Sequence, residues 1–160
     1  MKIITIGVYG FDEESFFQTL QTAGVDVLCD IRQRRGVRGA TYAFANSQRL
    51  QRRLADLGIR YLYRKDLAPT KEVRARQVEA DKAQKVAKRQ RTVLGEVFIK
   101  AYRAEILAAF EPQSLLDEVG PDAQVLALFC VEREPAACHR SLVADQLRWN
   151  LDLEVEHIRP

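Results

Sequence analysis

The chain has 160 residues, 47% of them hydrophobic, enough for one domain whose core needs no metal or disulfide to stay folded. Its cysteines, Cys29, Cys130 and Cys138, are odd in number, and two of them lie in apolar strand-like runs, which argues against a secreted disulfide framework. There is no charged-then-apolar leader, and no apolar run nears the ~20 residues of a membrane span, so a cytoplasmic location is expected.

Lys2–Gly7 is apolar throughout, as a strand buried on both faces should be. Gly7 and Gly10 turn the chain. Asp12 is placed to N-cap a helix, with Phe11 and Phe16 at the two positions of a hydrophobic staple. Phe16, Phe17, Leu20 and Ala23 share one helical face, and Gly24 closes it. Residues 25–31 are a second strand, running into the polar Asp30 and Arg32. Residues 33–44, with Gly36 and Gly39 among arginines, read as a loop. Asn46 or Ser47 caps a helix carried by Leu50, Leu54 and Leu57 and ended by Gly58. Residues 59–63 form a short third strand, and 66–70 a connector.

A polar, basic helix is expected over 72–91, with a thin apolar stripe of Val73, Val78 and Val86. A more amphipathic stretch follows over 94–110 through Leu94, Phe98, Ala101, Tyr102 and Phe110. The pattern fits one long helix or two joined near residues 92–95. Pro112 opens a short helix over 114–119, and 124–130 is the clearest buried strand. After a turn at Glu134-Pro135 a helix covers 138–150. Residues 154–158 set Val155 and Ile158 against Glu156 and His157, which suits an edge strand. This alternation predicts a single α/β domain over 1–160. Its form is three-layer and Rossmann-like, a mostly parallel sheet of about five strands with helices on both faces. Ligands of such sheets bind outside the carboxyl ends of the strands.

The net charge of +3 is unevenly placed. Arg32, Arg34, Arg35, Arg38, Arg49, Arg52 and Arg53 occupy a stretch without an acid, and residues 71–91 hold eight basic residues against Glu72, Glu79 and Asp81. The two stretches carry +7 and +5, leaving −9 for the rest, a segregation that favours an anionic partner. Eighteen of the 25 basic residues are arginine, the side chain suited to forked recognition of phosphate. The plainer reading is a set of solvated basic helix faces.

Two polar clusters fall at strand carboxyl ends. Asp30-Ile31-Arg32 leads into the loop of Arg34, Arg35 and Arg38. Cys130-Val131-Glu132 is followed, after a turn, by Cys138-His139-Arg140 at a helix start. Folding does not need charges directly after an apolar strand; such residues are placed to line a pocket. With its opening Thr5-Ile6-Gly7, these two clusters, Leu128-Phe129 before the second and the closing Val155-Glu156-His157-Ile158, the chain resembles the domain of unknown function 488 family over nearly its whole length. The resemblance implies an α/β fold and a shared polar site, and no established reaction. The chain departs from the family pattern at Gln33-Arg34-Arg35-Gly36-Val37-Arg38, where members often carry proline and serine, and at Leu67-Ala68-Pro69, where many have Leu-Gly-Gly. Both departures lie in loops bordering the expected pocket.

Residue chemistry leaves three kinds of site open. An anion site would use Arg32, Arg35, Arg38 and Arg140 with the free N–H groups of the helix starting near Cys138. Its structural alternative is a buried network in which Asp30 pairs with Arg32 or Arg140 and only ties strand to helix. A metal site would draw on Cys130, Glu132, Cys138 and His139, donors that would suit zinc. Against it, the gap between the cysteines is not the short knuckle of structural zinc sites, and Cys138 and His139 would diverge on a helix, so no metal or other cofactor is expected. A thiol nucleophile would be Cys138, activated by a helix N-terminus and arginines, or Cys130 if it leans into the pocket. The alternative is two small buried hydrophobes. A phosphatase-type Cys-x5-Arg is ruled out by Ala136, and no Cys-x-x-Cys is present. His139 would need Glu132 or Asp30 beside it to act as a base. Tyr42 and Phe44 would stack on bases or anchor their loop.

The favoured expectation is an enzyme-like domain for a phosphate-bearing ligand, a small molecule such as a nucleotide or else nucleic acid. Asp30, Glu132, Cys130, Cys138 and His139 are its candidate catalytic groups. Group transfer and hydrolysis fit equally, and these residues do not decide whether catalysis occurs. Two other readings stand beside it. One is a non-catalytic nucleic-acid-binding module using residues 34–53 and 71–91 with a structural cysteine and arginine cluster. The other is an interaction subunit presenting the 72–91 helix. No membrane partner is expected, and the oligomeric state is left open.

Overall fold

The computed structural model describes residues 1–160. Its strands are β1 (Lys2–Gly7), β2 (Val27–Asp30), β3 (Arg60–Tyr63), β4 (Val125–Cys130) and β5 (Glu154–His157). Its α-helices are α1 (Glu13–Thr22), α2 (Ser47–Asp56), α3 (Lys71–Gln84), α4 (Glu96–Glu105), α5 (Pro112–Val119) and α6 (His139–Leu151). The strands form one parallel sheet in the order β3-β2-β4-β1-β5. The expected α/β class, with helices on both faces of a parallel sheet, is what the chain adopts.

Alternating side chains divide the core in two. Ile3, Val27, Cys29, Leu126, Leu128 and Cys130 pack with Val73, Phe98, Tyr102, Leu115 and Val143 of α3 to α6. Ile4, Ile6, Leu28, Ala127 and Phe129 face Phe16, Phe17, Leu50 and Leu54 of α1 and α2. No helix is long and apolar enough to cross a membrane.

Local signals place most element ends. Asp12 caps α1 by accepting from the Ser15 N–H at 2.7 Å, Ser15 returns the bond to the Asp12 N–H, and Phe11 meets Phe16 edge-on at 5.7 Å. Gly24 and Gly58, at φ of +66° and +71°, close α1 and α2 with the paired bonds of Schellman turns. Asn46 precedes α2 but does not cap it; its side-chain oxygen instead accepts from the Val37 N–H, bracing the arginine loop.

The 72–110 region is two helices, and the break comes earlier than residues 92–95. α3 ends at Gln84, with Lys85 left-handed at φ 54°. The chain then runs back along α3: Arg91 forks onto Asp81 and the Gly95 N–H donates to Gln77. These two long-range bonds end the helix where hydrophobic periodicity shows no boundary. α4 likewise stops at Glu105, and Leu107–Ala109 is a single tight turn.

β4 pairs with both β1 and β2, so the strand latest in sequence but one is the centre of the sheet. Its register sets Gly7 beside Cys130 and Asp30 beside Phe129. The loops after residues 7, 30 and 130 therefore leave the same edge side by side.

Candidate functional site

Asp30 and Arg32 form a closed buried pair. The Arg32 guanidinium forks onto both Asp30 oxygens at 2.9 and 2.7 Å and gives its third nitrogen to the Ala45 carbonyl, 4.6 Å above the Phe129 ring. Tyr61 donates to the same carboxylate at 2.7 Å. The pair joins β2, β3 and the arginine loop, and all three guanidinium nitrogens are engaged.

Arg140 is fully buried and meets no carboxylate. It donates to the Glu132 carbonyl at 2.6 Å and the Arg133 carbonyl at 3.0 Å, while its Nε has no partner. The guanidinium thus clamps the turn after β4 against Gly7, where any side chain would overlap the Glu132 carbonyl. That clamp fixes the path from Glu132 to Cys138.

Cys138 lies just before α6 in extended conformation (φ −138°, ψ 142°), so its side chain leaves in a different direction from one on a helix. That backbone lets Cys138 and His139, neighbours in sequence, point to the same place. Cys130 Sγ and Cys138 Sγ each lie 3.9 Å from His139 Nδ1, and Cys130 Sγ is 3.6 Å from Glu132 Oε2. His139 Nε2 is 2.9 Å from the Ile31 carbonyl, which can only accept. Nε2 therefore carries the hydrogen, and Nδ1 faces the two sulfurs.

The group shares protons unevenly. Burial drives the Cys130 thiol well above its ordinary value, and the hydrogen bond with Cys138 adds to this. Burial acts on Cys138 in the same sense, but the Cys130 hydrogen bond, the Arg140 charge and His139 outweigh it and hold this thiol well below its ordinary value. For His139 burial favours the neutral ring, yet the Cys138 charge and hydrogen bond raise it. Burial, then the Cys138 charge, raises Glu132. Of the two thiols, Cys138 is therefore the one whose ionisation the group favours, with His139 raised beside it.

Above these residues opens a cavity of about 380 Å³. Its walls come from the loops after β1, β2 and β4, from α3 and α4, and from the segment between those helices. Cys130, Glu132, Cys138 and His139 line it, as do Arg32 and Arg38. Asp30, Arg35 and Arg140 do not. Asp30 turns to the α1 and α2 face, Arg35 stacks at 4.2 Å on the Tyr63 ring, and Arg140 lies behind the turn.

Arg34, Arg74, Lys88, Arg89 and Arg91 also line the cavity, and Glu132 is the only carboxylate that does. Arg91 is held by Asp81, Lys88 reaches Glu132 at 3.6 Å, and Arg89 lies over the rings of Tyr9 and Tyr42 at 5.0 and 5.4 Å. Arg34, Arg38 and Arg74 make no ion pair or side-chain hydrogen bond, so their charge is uncompensated. The contribution of residues 74–91 was hidden in sequence. Their basic run is visible, but nothing local says that it folds over the cysteine cluster rather than into solvent.

A model of the family described as Domain of unknown function DUF488 matches residues 12–147 of this chain. No curated protein and no solved structure matches significantly.

Proposed function

The chain belongs to the DUF488 family, and from that footing we propose that its cavity binds a phosphate-bearing ligand of nucleotide size, within reach of Cys138 and His139. One observation carries this reading: a cavity at the carboxyl edge of a parallel sheet, lined by arginines from two distant segments, holds a single carboxylate. Uncompensated guanidinium groups facing one space attract each other's counter-ion, and phosphate offers the oxygen geometry that their forks match. The edge is also where sheets of this kind take their ligands.

Within that reading Arg38, from the loop after β2, and Arg74, from α3, bind phosphate, and Arg34 adds charge. Arg32 shapes the wall, since Asp30 and Ala45 hold its fork. Cys130, Glu132, Cys138 and His139 line the same cavity and so face whatever is bound there.

The test is isothermal titration at low salt with pyrophosphate, ATP and a short single-stranded oligonucleotide. At least one should bind, and Arg38→Ala and Arg74→Ala should each weaken it about tenfold or more, the worth of a charge-assisted hydrogen bond. Arg49→Ala, whose side chain pairs with Glu13 away from the cavity, should leave it unchanged. Absence of binding by all three probes, or binding indifferent to Arg38 and Arg74, would sink the reading.

A further inference from the structure

Cys130, Cys138 and His139 present Sγ, Sγ and Nδ1 within 4.8 Å of one another, all three residues buried and all three at the floor of the cavity. Tetrahedral zinc takes sulfur at ~2.3 Å and nitrogen or oxygen at ~2.0–2.2 Å, which puts the edges between its donors at about 3.5–3.8 Å. The separations here are 3.9 Å from each sulfur to Nδ1 and 3.6 Å from Cys130 Sγ to Glu132 Oε2. The two sulfurs lie within 4.8 Å of each other, so bringing them to a zinc edge of ~3.8 Å takes up to about 1 Å of movement, within reach of cysteine side-chain rotation. We propose that these three residues bind a thiophilic divalent cation of the zinc class, with Glu132 or a ligand from the cavity completing the fourth position.

Two further features support this site, and neither depends on how the cavity binds phosphate. His139 Nε2 donates to the Ile31 carbonyl, the outer contact by which a metal-bound imidazole is usually oriented, and this leaves the Nδ1 lone pair for the ion. Arg140 is the second. A fully buried guanidinium without a carboxylate is costly, and this one, next to His139 in the chain, clamps the turn that carries Glu132 and leaves its Nε without a partner. Two thiolates, a carboxylate and a divalent ion sum to one negative charge, which Arg140 offsets. The spacing that argues against a knuckle does not weigh against this geometry, because the donors come from a strand end and a helix start brought together by the sheet.

The proposal is tested on untagged, metal-stripped protein with cobalt(II) and zinc(II) alone. One cobalt per chain should bind, with the intense visible bands and thiolate charge transfer of tetrahedral sulfur coordination. Cys138→Ser should lower affinity by more than the roughly 10–100-fold that an outer-contact change costs, while Cys29→Ser should leave it intact. X-ray absorption of the zinc-loaded wild-type protein decides the matter even where Cys138→Ser misfolds. Its first shell should hold two sulfurs near ~2.3 Å and two lighter atoms. No stoichiometric cobalt, a sulfur-free first shell, or equal behaviour of the Cys29 and Cys138 variants would overturn the site.

Discussion

At Asp30 both carboxylate oxygens are spent on Arg32 and one also accepts from Tyr61, in a place with no solvent. Removing the charge from such a pair strands its partner. Asp30→Asn is therefore expected to cost about 3–5 kcal/mol of stability, since Arg32 is left buried and unpaired. Urea unfolding measures this, and a loss under about 1 kcal/mol would show that the pair is not closed. Arg32 and Arg140, alike in sequence as arginines after strand ends, do different work. The first answers a carboxylate, whereas the second holds backbone carbonyls and leaves its charge for the thiols.

Among the elements, those that ended as expected carry their stop signal locally. Asp12 and Gly24 bracket α1, Gly58 ends α2, and each acts through bonds within a few residues. α3 differs because its end is made by Asp81 and Gln77 reaching residues ten and eighteen positions onward. The stop residue is Lys85, in a left-handed conformation that costs a side chain about 1–2 kcal/mol, partly offset by the extra chain entropy a glycine would lose. Lys85→Gly should thus stabilise the protein by about 0.5–1 kcal/mol, seen as a higher urea midpoint at unchanged slope. A destabilised variant would mean the Lys85 side chain has a role of its own. Cys138 is the same lesson at a helix start. Read as part of α6 it diverges from His139, whereas its extended backbone makes the two converge.

Across the whole molecule, the strand order decides what meets what. β5 closes the sheet beside β1, and there His157 Nδ1 lies 2.8 Å from Thr5 Oγ1. Burial lowers His157 from its ordinary value; Asp145 opposes this, and Arg140, Arg148 and Arg159 reinforce it. A histidine lowered on folding contributes stability in full above its unfolded value near ~6.5 and loses it as pH falls through the folded one. Stability should accordingly drop from pH 7 to pH 5 more steeply in the wild-type protein than in His157→Gln. With two histidines in the chain, the imidazole NMR titration assigned to His157 should lie below the ordinary value. A midpoint at or above it would refute the assignment. The sequence by itself determined the strand and helix pattern, most helix ends and the two polar clusters, because caps, staples and periodicity act within a few residues. Only the tertiary structure decided that β4 inserts between β1 and β2, that Arg32 belongs to Asp30, and that the basic run of 74–91 arches over two cysteines and a histidine. Those outcomes depend on strand pairing and on long-range polar bonds, whose partners are set by competition across the folded chain and leave no local mark.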